Sequence, residues 1–171
     1  MSIPPIHPLP APAAQAHLTL RRAAHTLAAT DYAGPVSAAA RYYRARSLGN
    51  HLRELDRFLR TLIEAITPAP ARPALRTARR TGDKLSQLDT GLACSSPRLD
   101  ALRGARNCLY YCGGRVRRGD RRHSPLLTLG WPRDRPRRAR LGEELTITQA
   151  ELADICAFYL ELADSLVENR P

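Results

Sequence analysis

Lysine is nearly absent from this chain. Of 27 basic residues only Lys84 is lysine; the other 26 are arginine. Aromatic residues are also few, with two Phe, one Trp and six Tyr in 171 residues. A core must therefore be assembled mainly from Leu and Ala, which favours close-packed helices over sheets. No apolar run reaches the roughly 20 residues that a membrane-spanning helix needs. The N-terminal MSIPPIHPLPAPAAQ lacks the basic start and apolar centre of a secretory signal. These absences point to a cytoplasmic, reduced bacterial protein with no membrane partner.

Several kinds of chemistry are missing too. The four cysteines, Cys94, Cys108, Cys112 and Cys156, form no CxxC pair and no Cys/His cluster at zinc spacing. Cys108 and Cys112 lie one helical turn apart, a spacing that permits metal ligation. With no second pair nearby, buried apolar thiols explain them better. There is no Gly-rich phosphate loop, nucleophile elbow, HExxH motif or EF-hand. Gly113-Gly114 follows a helix and so reads as a stop, because phosphate loops precede helices. No metal and no cofactor is expected.

What is present is charge and helical periodicity. The length suits one domain with a real core, expected over residues 13–171. Residues 1–12 are Pro-rich and are expected to be disordered. The net charge is +11. Abundant Ala and Pro beside the arginines suggest a GC-rich genome, so part of the Arg excess is a codon effect. The position of the charge is more informative than its total. Residues 115–140 hold ten arginines and two acids, Asp120 and Asp134, a net +8.

The apolar stripes predict a compact, mainly α bundle of four to five helices. A first helix is expected over about 13–30, with Leu20, Ala24 and Leu27 facing in and Gly34-Pro35 as the break. A second runs over about 36–67 on Leu48, Leu52, Leu55, Leu59, Leu62 and Ile66. Gly49 inside it marks a bend or a close helix contact. Pro68, Pro70 and Pro73 end it. A third is expected over 74–90, closed by Gly91. A fourth starts with Ser96 as N-cap and Pro97 in the first turn. A fifth starts at Thr148, where TQAE reads as a capping box with Glu151. Between the last two helices, 126–129 and 141–147 could form two strands of a basic hairpin with its tip at 132–138.

Arg106 interrupts the core-facing stripe of the fourth helix, Leu99, Leu102, Arg106, Leu109 and Gly113. A buried guanidinium needs a partner. That partner is either a carboxylate on a neighbouring helix, such as Asp56, or a bound ligand. The basic segment offers Arg115, Arg117, Arg118, Arg121, Arg122, Arg135, Arg137, Arg138 and Arg140 for phosphate contacts, since Arg forks match phosphate oxygens. Trp131, Tyr110 and Tyr111 suit either base stacking or the core and hinges. His123 reads as a surface residue.

The run LDALRGARNCLYYCGG, with Arg106-Asn107 on the penultimate helix of a bundle, resembles the HEPN superfamily of small helical domains. Many members are metal-independent RNases in toxin–antitoxin and phage-defence systems. Their signature is Arg, commonly then a polar residue such as Asn, and His after four to six intervening residues. The resemblance implies that Arg106 binds the scissile phosphate and Asn107 supports it. The expected partners are RNA or another polyanion, with a homodimer and an antitoxin-type protein as further candidates. Tyr111 stands where the family has His, and a phenol is a poor general base at neutral pH. An RNA- or nucleotide-binding member with degenerate nuclease chemistry is expected. Two rival readings stand beside it: a DNA-binding module with the hairpin as a wing, and a structural or regulatory bundle whose charge is incidental.

Overall fold

The computed structural model describes residues 8–32, 37–88 and 91–169, without the side chains of 70, 72 and 74. Its six helices are α1 (Ala11–Ala29), α2 (Ala38–Ile66), α3 (Arg72–Thr77), α4 (Thr81–Ser86), α5 (Ser96–Cys112) and α6 (Gln149–Glu168). Two strands, β1 (Leu126–Thr128) and β2 (Arg138–Arg140), form one antiparallel hairpin. The protein is thus mainly α. No helix among the described residues is long and apolar enough to cross a membrane.

The long helices follow the stripes. In α2, Leu48, Leu52, Leu55, Leu59, Leu62 and Ile66 are all buried. Burying each such side chain is worth about 2 kcal/mol against exposure. α1 contributes Ala13, Ala16, Leu20, Ala24 and Leu27, and α6 contributes Leu152, Ile155, Tyr159, Leu162 and Leu166. α2 lies at the centre and packs on α1, α4, α5 and α6. α1 runs antiparallel to α6. At one end of that pair His17 and Arg21 meet Asp164, at 2.7 and 3.0 Å, and at the other Gln149 reaches the Ala28 carbonyl. α2 and α5 are also antiparallel and cross at Gly49. A Cβ there would lie 2.6 Å from the Tyr110 backbone nitrogen and 3.0 Å from the Arg106 carbonyl oxygen. Gly49 is therefore a close contact.

Local signals set several boundaries. Thr148 accepts a hydrogen bond from the Glu151 amide while the Glu151 carboxylate accepts from the Thr148 amide, so the capping box is complete. Gly113 and Gly114 end α5 with φ of 59° and 88°. α2 stops where Thr67 turns extended before Pro68.

Four expectations are corrected. The first helix starts at Ala11, because Pro12 is tolerated in a first turn. The remaining expected disorder at 1–7 lies outside the described residues, as does Gly34-Pro35. The helix expected over 74–90 is two short ones, because Ala78 is extended and α4 is held by tertiary bonds. In α4 the Thr81 hydroxyl donates to Asp56, and Ser96 donates to the Gly82 carbonyl. That second bond also takes Ser96 out of the N-cap role. It is the first helical residue, and Ser95 precedes it with no cap bond. Finally, the partner strand of β1 is Arg138–Arg140, in register Leu126↔Arg140 and Thr128↔Arg138. The run 141–147 pairs instead with the residues after α5. Val116 donates to Glu143, Gly142 to Val116 and Leu145 to Gly114. Only Ala139 of β2 is buried, so this strand had no apolar run to reveal it.

Candidate nucleic-acid interface

The side chain of Arg106 is 12% exposed and its Nη1 lies 2.9 Å from Asp56 Oδ2 on α2. Asp56 is 4% exposed. Its other oxygen accepts from Thr81 at 2.8 Å, and Arg60 Nε approaches to 3.6 Å. Arg106 thus meets a carboxylate across the α2–α5 crossing. It does not reach Tyr111, which is 66% exposed. The structure does not bring these two residues of the expected motif together. Five positions on a helix separate them by most of a half-turn.

Asn107 and Tyr111 do share a site. With Gly104, Cys108, Leu127, Arg117, Arg118 and Gly119 they line a cavity of about 510 Å³. A second cavity of about 550 Å³ adjoins it through Arg117, Arg118 and Gly119 and continues past Arg121, Arg122 and His123. The loop bearing these arginines doubles back tightly. At Gly119 a Cβ would stand 2.1 Å from the Ser124 carbonyl oxygen, so only glycine fits. Asp120 pins the same loop by accepting from the Thr128 amide and hydroxyl at 2.8 and 2.7 Å. Among the described residues no carboxylate is ion-paired with Arg115, Arg117, Arg118, Arg121 or Arg122.

The hairpin behaves differently. Leu127, Leu129, Trp131 and Ala139 are buried under it, so Trp131 is a core residue. Arg133 pairs with Glu161 of α6 at 2.7 Å, and Arg137 donates to the Thr146 carbonyl at 2.6 Å. Arg135, Arg138 and Arg140 are exposed and line neither cavity. The ten arginines are therefore two populations, an unopposed loop after α5 and a partly tethered hairpin.

The cysteines stay free. Burial, with a smaller contribution from Cys112, pushes the Cys108 thiol up to about 12, and burial alone does the same at Cys156. No group of three or more metal-ligating side chains occurs among the described residues.

One feature of this face was not among the residues singled out from the sequence. Arg46 on α2 lies over the rings of Tyr42 and Tyr110, at 5.7 and 5.4 Å. Arg53 lies over Tyr110 and Tyr111, at 4.5 and 5.6 Å. The signal was present as Tyr42, Arg46, Gly49 and Arg53, spaced 4, 3 and 4 along α2. No protein-family model, curated protein or solved structure matches the chain.

Proposed function

We propose that this chain is an RNA-binding helical domain, similar to a HEPN domain without the catalytic pair, that grips the RNA backbone with the loop after α5. The observation that carries the reading is the set of five arginines, Arg115, Arg117, Arg118, Arg121 and Arg122, with no ion-paired carboxylate among the described residues. A solvated surface normally intersperses both signs of charge. Here Arg117, Arg118, Arg121 and Arg122 line two adjoining cavities, the first of them shared with Asn107 and Tyr111. Phosphates suit the forks, while Asn107 and the apolar floor at Leu127 suit a base edge and face.

Arg106 supports the non-catalytic form of this reading. Its guanidinium meets Asp56, and position 111 carries a phenol where the family has an imidazole. The wing-type DNA reading is weaker, because Arg133 and Arg137 tie the hairpin to the body.

The test is fluorescence anisotropy of a labelled single-stranded RNA over a salt series. Five phosphate contacts at about 0.7 each give a log–log slope near −3.5. Arg117→Ala with Arg118→Ala should reduce the slope by about 1.4, and the RNA should stay intact in EDTA. An unchanged slope in that variant overturns the reading.

A further inference from the structure

We propose that the RNA held here is single-stranded, and that its bases stack on a ladder of tyrosine rings and guanidinium planes along the seam of α2 and α5. This rests on the RNA reading and adds to it a discrimination between unpaired and paired strands.

Four of the six tyrosines in the chain fall in this one strip. Tyr42 and Tyr43 meet edge to face at 5.6 Å, and Tyr110 and Tyr111 at 5.0 Å. Arg46 joins the two pairs by lying over Tyr42 and Tyr110, and Arg53 covers Tyr110 and Tyr111. Among the described residues neither arginine is ion-paired with a carboxylate. Part of this is packing. The Tyr42 ring lies against Gly113, and Arg46 clamps α2 to α5 through both rings.

Packing does not account for the outer rings. Tyr43 is 68% exposed and Tyr111 66%, in a chain with only nine aromatic residues. Both present ring surface to solvent beyond the clamp. Tyr111 also lines the cavity shared with Arg117 and Arg118, and Tyr42 lines a neighbouring recess with Arg115 and Arg117. Stacking surfaces and phosphate-binding forks are therefore contiguous. A single strand can place bases on the rings and its backbone on the loop. A duplex keeps its bases stacked inside and can offer only its backbone.

Three probes test this: a labelled oligouridylate of about a dozen nucleotides, within the usual site size for such surfaces, an RNA duplex of the same length, and inorganic polyphosphate as a competitor without bases. Tyr43→Ala with Tyr111→Ala should lower oligouridylate affinity by roughly fivefold to a hundredfold per stacked base. Duplex and polyphosphate binding should fall far less. The same pair changed to Phe should keep the parent affinity, because stacking needs the ring and not the hydroxyl. Both side chains are exposed, so circular dichroism should match the parent. Arg117→Ala with Arg118→Ala should weaken all three ligands. If the alanine pair weakens all probes equally, or leaves oligouridylate binding unchanged while the arginine pair still weakens it, the ladder is refuted and the charge-based RNA reading stands. If the arginine pair changes nothing, both readings fall. Photocrosslinking of a 5-iodouridine oligomer should label Tyr43 or Tyr111; tight binding with neither labelled also overturns the proposal.

Discussion

Replacing Arg106 by Met separates its structural role from any role in binding. The substitution keeps much of the side chain's length but removes the charge facing Asp56. Breaking a buried pair from one side costs about 3–5 kcal/mol, because the surviving charge is stranded. Here the lower end applies. Asp56 keeps the Thr81 hydroxyl at 2.8 Å, and Arg60 at 3.6 Å can move in, with a side chain that is 40% exposed. We expect a loss of about 3 kcal/mol, which for a chain of this size lowers Tm by about 10 °C. The reciprocal change, Asp56→Asn, should cost a similar amount by stranding the guanidinium. The double variant should cost less than the sum, with a coupling energy of about 2 kcal/mol. The pair is also imperfectly satisfied, since Arg106 Nε is buried with no hydrogen-bond partner among the described residues. With single losses of about 3 kcal/mol each and that coupling, the double variant should lie about 4 kcal/mol below the parent. Urea denaturation of the four proteins measures all of this. A single-variant loss below about 1 kcal/mol, or strict additivity, would refute the ion-pair account. RNA affinity of the folded Arg106→Met protein should equal the parent's. A selective loss of affinity would return Arg106 to the binding site.

Two further outcomes follow from packing. Gly49→Ala should destabilise by about 1–3 kcal/mol despite the better helix propensity of alanine, because the new Cβ meets the backbone of α5 at 2.6 Å; a gain in the denaturation midpoint would show that the helices can separate there. At pH 8 a thiol reagent should modify exposed Cys94 quickly, while Cys108 and Cys156, raised to about 12, stay protonated and react only after denaturation. Rapid labelling of either in the native protein would contradict that burial.

The sequence by itself determined the long helices. Leucines at 48, 52, 55, 59 and 62 recur at the helical period, so α2 is specified locally and buried wherever the bundle closes. Thr148 and Glu151 set the start of α6, and Gly113 the end of α5, because capping bonds reach only a few residues. The concentration of charge after α5 was equally legible, and so was the need of Arg106 for a partner. Its choice was not, because Asp56 and Arg106 are fifty residues apart and meet only through the glycine crossing at Gly49. Tertiary packing also split the segment expected as a third helix, through the bonds of Thr81 to Asp56 and Ser96 to Gly82. It moved the second strand to Arg138–Arg140, where one buried alanine is too little pattern to read. Most consequentially for function, it divided the arginines. Which of them meet a carboxylate or carbonyl, as Arg133 and Arg137 do, depends on the helix that lies opposite. Charge density is a property of the chain, whereas charge left unopposed beside a cavity is a property of the fold.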